Sequence, residues 1–159
     1  MKITENTFIE ILGLPEWDDR VLEVLEALEL PRPIVEDGEV YAYLSSDKYG
    51  VDIMFDYDCI TEEQKAMEKD RNLYVSQVSF SRDTKLLLPY GISFSDEIDD
   101  VINKLDSEPD TPSNRINDGC GWAKVHNNTP YWLYTGYFDS DLNGIKKLFI
   151  RVQFPYKWD

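Results

Sequence analysis

Asp139, Asp141, Asn143 and Gly144, in the stretch DSDLNG, stand where an EF-hand calcium loop places its first three ligands and its turn glycine. Carboxylate and amide oxygens so spaced would suit a hard cation. Two requirements of that chemistry are unmet. The loop needs a helix on each side and a bidentate glutamate at its twelfth position, which counted from Asp139 is Ile150. The flanks YWLYTGYF and IKKLFIRVQF alternate with the period of strands. Asp, Asn and Gly also favour tight turns, because Asn and Gly tolerate positive φ and Asp caps its own turn. The stretch is therefore expected to be a hairpin turn between the last two strands, with no metal.

The remaining candidates for chemistry are isolated. His126 is the only histidine and precedes NNTP, the wording of a surface turn; no serine–histidine–aspartate or zinc arrangement accompanies it. Cys59 and Cys120 are far apart in the chain and form no CxxC. Cys120, in DGCGW, has only Lys124 and His126 nearby to lower its thiol pKa, so an inert thiol is expected. Carboxylates abound, but Asp96, Glu97, Asp99 and Asp100 suit a helix N-terminus. Asp52, Asp56 and Asp58 alternate with Val51, Ile53, Phe55 and Tyr57 as the solvent side of a half-buried strand. No glycine-rich phosphate loop occurs. The expectation is a protein without enzymatic activity or cofactor. A carboxylate-dependent hydrolase is the less favoured alternative, and it would need a deep pocket lined by close acids.

Charge narrows the partners. Of 159 residues, 31 are acidic and 16 basic, a formal net charge of −15. This opposes binding to nucleic acid, which requires Lys and Arg on phosphates, and docking on anionic membranes. It suits a basic protein partner, attracted at long range. Residues 1–80 carry 19 acids and 7 bases, while 81–159 carry 12 and 9, so an acidic binding surface is expected in the first half. With 42% hydrophobic and 13% aromatic residues, the chain has the apolar content of a folded domain. The start MKITENTFIE shows no apolar signal region and no long apolar run follows, which predicts a cytoplasmic protein.

The elements that must position these residues occur twice. After Trp17, Val21, Leu22, Leu25 and Leu28 recur at helical spacing, and PRP stops the helix. After Phe94, with Ser95 as the expected N-cap, Ile98, Val101, Ile102 and Leu105 repeat the stripe, and prolines again follow. A shift of 77 pairs Trp17 with Phe94, Val21 with Ile98, Val24 with Val101, Leu25 with Ile102 and Leu28 with Leu105. Strand-like stretches at 40–44, 51–57 and 73–80 follow the first helix, and at 122–125, 131–138 and 145–154 the second. A short amphipathic helix is expected over 8–12, and a polar one over 61–70, where Thr61 and Gln64 form a capping-box pattern. This predicts an α+β fold of two tandem modules, 1–85 and 86–159. Each would pack short helices on a three- to four-stranded antiparallel sheet, the two forming one unit.

The aromatic residues supply candidate contacts. In PYWLYTGYF, Tyr131, Leu133 and Tyr137 point one way and Trp132, Tyr134 and Phe138 the other, so both faces carry large rings. Tyr41 and Tyr43 likewise oppose Val40, Ala42 and Leu44. Rings with polar tips are favoured interface anchors, although burial by helices or loops would serve the same pattern.

LPYGISFSDEIDDVINKLDSEPDTP, followed by YFDSDLNGIKKLFIRVQF, resembles small bacterial immunity proteins that partner polymorphic or contact-dependent toxins. The tandem helix-and-sheet plan also resembles the β-lactamase inhibitory protein and the small outer-membrane lipoprotein A fold. It differs from the secreted members in showing no signal peptide or lipidated cysteine. The resemblance implies a protein that occludes a toxin, suited by charge to a basic one. The expected contacts are Tyr41, Tyr43, Asp52, Asp56, Trp132 and Tyr134. An interaction module of a larger bacterial assembly is the alternative.

Overall fold

Proline, glycine and left-handed residues cut the helices short. The computed structural model describes residues 1–39, 41–57, 73–111, 119–137 and 144–153. The expected polar helix over 61–70, Cys59, Val40, Asp58 and residues 138–143, with most of DSDLNG, lie outside them. Helix α1 (Thr7–Ile11) buries Phe8, Ile9 and Ile11, and Gly13 at φ +79° turns the chain away. Helix α2 (Asp19–Ala27) is capped by Asp18, whose carboxylate accepts the Arg20 N–H at 2.9 Å, and it buries Val21, Val24 and Leu25. Glu29 at φ +57° ends it, ahead of Pro31. Helix α3 (Ile98–Leu105) ends at Asp106, also left-handed.

The start of α3 departs from expectation. Its N-cap is Glu97, whose N–H donates to Asp100 Oδ2 at 2.9 Å, while Ser95 bonds to Ser93. A turn precedes the helix: the Asp96 N–H donates to the Ser93 carbonyl and the Ser93 N–H to Asp96 Oδ2, both at 2.9 Å, while the Phe94 carbonyl accepts the Ile145 N–H at 2.8 Å.

Six strands follow the expected stretches: β1 (Tyr41–Ser46), β2 (Val51–Asp56), β3 (Tyr74–Phe80), β4 (Gly119–His126), β5 (Thr129–Gly136) and β6 (Lys147–Val152). They form one antiparallel sheet in the order β1-β2-β3-β6-β5-β4. The fold is therefore α+β, with few short helices on a single six-stranded sheet. The first three strands stay together, as do the last three, and β3 joins β6 from Gln77 opposite Arg151 to Phe80 opposite Leu148. Where β3 outruns β6, residues 13–16 take its place: Gly13 donates to the Val75 carbonyl, and Val75 to the Leu14 carbonyl, at 2.8 and 3.0 Å.

The three α-helices among the described residues pack on one side. Phe8, Val21, Val24, Leu25, Val101 and Leu105 share a core cluster with Ile53, Phe55, Val78, Trp122, Leu133 and Ile150 of the sheet. Each such side chain contributes about 1.5–3 kcal/mol on burial. The helix pairs matched in sequence do not share environments throughout. Val24 and Val101 are both fully buried, but Trp17 is 56% exposed where Phe94 is 8%, and Val21 is buried where Ile98 is exposed.

Candidate partner-binding face

A strand alternates its side chains between faces, so register assigns each residue to a side. On the core side lie Ala42, Ile53, Phe55, Val78, Ile150, Leu133 and Trp122. The other side carries two cross-strand rows. One runs Tyr43, Met54, Gln77, Arg151, Trp132, Ala123; the other runs Ser45, Asp52, Ser79, Phe149, Tyr134, Gly121. Tyr41 opposite Asp56 begins a third. All six expected contact residues therefore lie on one side of one sheet, the side away from the described helices. They fall in two groups, Tyr41, Tyr43, Asp52 and Asp56 on β1–β2 and Trp132 and Tyr134 on β5. Strand spacing puts β1 about 19 Å from β5.

The alternation in β5 resolves which aromatics are core. Tyr131 and Leu133 are buried, and the Tyr131 hydroxyl meets that of Tyr90 at 2.6 Å. Burial, and then the Tyr90 bond, push the Tyr131 phenol well above its ordinary pKa. Trp132 and Tyr134 are half-buried because their rings lie along the sheet. A Cβ added to Gly121 would stand 3.3 Å from the Trp132 ring, and one added to Gly136 would stand 3.3 Å from the Tyr134 ring. Tyr134 also stacks on Phe149, with centroids 4.7 Å apart and planes at 19°, and the Lys147 ammonium lies 5.6 Å from the Phe149 centroid.

At the opposite edge Tyr41 and Tyr43 are 42% and 48% exposed. Burial chiefly, and the Asp52 carboxylate in addition, raise the Tyr43 phenol pKa. The face closes where Asp56 meets Tyr74, which is buried outside the core cluster. Sequence reasoning passed over Phe149, Arg151, Met54 and Gln77 as members of this face. Their signal was present in KLFIRV, where Phe149 and Arg151 alternate with the core residues Leu148, Ile150 and Val152.

The other candidates have local explanations. His126 closes β4, and Asn127 and Asn128, at φ +48° and +65°, make the two-residue turn into β5. Cys120 is buried beside Thr135. Asp96 accepts the Ser93 N–H at 2.9 Å and the Lys104 ammonium at 2.7 Å. Gly144 has φ +78°, and a Cβ there would lie 2.3 Å from the Phe94 carbonyl oxygen. Strands flank DSDLNG on both sides, as the hairpin reading requires. Among the described residues, no three His, Cys, Asp or Glu side chains gather as a metal site, and no helix is long and apolar enough to cross a membrane.

Comparison of the chain with family models, curated proteins and solved structures finds no match.

Proposed function

We propose that this protein is a non-enzymatic binding inhibitor of the immunity type, which neutralises a bacterial toxin by covering it with the side of its sheet opposite the described helices. One observation carries the reading: residues from both halves of the chain place Tyr41, Tyr43, Trp132, Tyr134 and Phe149 on the same side, away from the described helices. A broad patch of half-exposed aromatics with polar tips is the composition of an interface centre, and a few such anchors supply most binding energy. The charge of −15 suits a basic toxin and would speed encounter with it.

On this proposal the two halves are related modules. Each runs helix, hairpin, longer connection and third strand, and the third strands pair with each other. The lead-in to each helix also touches the start of its own third strand: Glu16 donates to Leu73, and Ile145 donates to Phe94. Such a plan turns two small sheets into one surface wide enough for a standard interface.

The test is co-expression of the chain with the product of the gene next to its own. The reading expects relief of growth arrest and a stable complex. Trp132→Ala or Tyr134→Ala should weaken that complex at least about tenfold, the scale of an anchor residue, while Ile98→Ala on the helix side leaves it intact. A neighbouring toxin that arrests growth regardless of this protein, or one bound equally by all variants, would sink the proposal.

A further inference from the structure

The two edges of the sheet are finished differently. Along β4 the outer edge is occupied. Thr111 donates to the Gly121 carbonyl at 3.1 Å and accepts the Gly121 N–H at 3.3 Å, while Asp110 Oδ2 accepts the Ala123 N–H at 2.8 Å. Along the other edge, β1 has β2 as its only strand neighbour among the described residues. An edge strand directs the N–H and C=O of alternate residues outward, where they can template another strand. Proteins blunt such edges with charges, prolines or bulges. The strand YAYLSS contains no charge or proline, and it pairs with β2 in unbroken register.

The surroundings of that edge have one sign. Between 29 and 57 the chain has seven acids, Glu29, Glu36, Asp37, Glu39, Asp47, Asp52 and Asp56, against two bases. Both bases already face acids of this chain: Lys48 meets Glu29 at 2.5 Å, and Arg32 meets Glu16 at 3.7 Å. A second copy would bring the same negative charge to the same edge, so pairing between copies is opposed.

We infer that β1 accepts an extended strand from a basic partner, which continues the sheet past its first edge. The inference rests on the reading of the protein as a partner-binding inhibitor, but it uses the edge rather than the face. The added strand would lie about 4.8 Å from β1. An Arg or Lys on its outer side would lie across the Tyr41 or Tyr43 ring, where cation–π attraction holds it. Its charged end then reaches Asp52 or Asp56 on β2. Backbone bonds give the attachment, and the Tyr–Asp pairs select basic side chains.

The test titrates the isotope-labelled full chain with an octapeptide that alternates Arg with Val and Thr, followed by amide NMR. Binding should move the amides of 41–46 most, and Asp52→Lys should weaken it about tenfold, the cost of turning an attraction into a repulsion. The same peptide N-methylated on alternate residues keeps its charge but lacks one row of donors, and should bind at least about tenfold more weakly. Equal binding of the methylated peptide, shifts that spare 41–46, or no saturation by about 1 mM would each overturn the inference. So would concentration-dependent shifts at 41–46 without peptide, which mark a homodimer edge. Loss of toxin capture in the Trp132 and Tyr134 variants alongside a silent edge would leave the proposed function standing and remove the edge alone.

Discussion

The Gly144 N–H donates to Glu97 Oε1 at 3.1 Å, so the capping residue of α3 also holds the strand lead-in that begins at Gly144. The same glycine has φ +78° and leaves no room for a Cβ against the Phe94 carbonyl. Its role is to bring β6 and the entrance of α3 within backbone hydrogen-bonding distance.

Gly144→Ala combines two faults, a left-handed backbone and a steric overlap. It should lower stability by about 2–4 kcal/mol, beyond the ordinary cost of a positive-φ alanine. Urea denaturation followed by far-UV circular dichroism measures this. A loss below about 0.5 kcal/mol would show that the Phe94–Ile145 contact yields freely.

The Tyr90–Tyr131 pair should respond asymmetrically. Tyr131 is 2% exposed, whereas Tyr90 is half-buried. Tyr90→Phe leaves a buried hydroxyl without this partner and should cost about 1–3 kcal/mol, while Tyr131→Phe leaves Tyr90 free to bond water and should cost less. Equal losses in thermal or urea unfolding would contradict the asymmetry.

Alkaline pH should destabilise the fold through the same residues. Burial raises the Tyr131 phenol, and burial raises that of Tyr137 to about 12. The folded state thus holds these protons more tightly than the unfolded chain, whose phenols titrate near 10. Their contribution is fully present below about pH 10 and is lost as pH rises toward the folded values. Tyr137→Phe should flatten the fall in denaturation midpoint between about pH 10 and 12. An unchanged slope would remove Tyr137 from this role.

Asp18 gives the opposite sign. Its bond to the Arg20 side chain, and the backbone N–H it accepts, hold its pKa below the usual carboxylate value. Its contribution is present above the unfolded value of about 4 and fades as pH falls through the lower folded one. Asp18→Ala should cost about 1 kcal/mol at neutral pH, and Asp18→Asn much less, since amide oxygen also caps. Comparing both variants by urea unfolding at pH 7 and pH 3 tests this, and the difference should shrink in acid.

The elements were legible in the chain wherever a local period met a stop signal. All six strands and the helices of 7–11, 19–27 and 98–105 follow apolar periodicity bounded by Gly, Pro or Asn. The side of each β5 residue was legible too, but not which side was core, because Tyr131 and Trp132 are equally suited to either. The core side is the one that packs against the helices, and there the Tyr131 hydroxyl meets that of Tyr90, 41 residues away. The single sheet was less legible still. The β3–β6 pairing that makes it joins residues such as Gln77 and Arg151, which carry no local mark of each other. The N-cap of α3 moved from Ser95 to Glu97 because Ser95 lies in a turn closed between Ser93 and Asp96.

Phe149 separates the structural and the functional claims about the face. It sits on β6, opposite Ser79 of β3, at the junction of the two halves, and it stacks on Tyr134. Being half-buried, Phe149→Ala should cost only about 1–2 kcal/mol, less than a fully buried ring. Its effect on partner binding should be larger, because Tyr134 loses the stack that holds its ring along the sheet. Phe149→Leu keeps most of the apolar area but not the planar stack. It should restore stability while leaving binding weakened by about fivefold or more, on the scale of an aromatic pair. Measuring unfolding and complex dissociation on both variants decides the matter. If Phe149→Leu restores binding as fully as stability, the ring orientation of Tyr134 is not part of recognition.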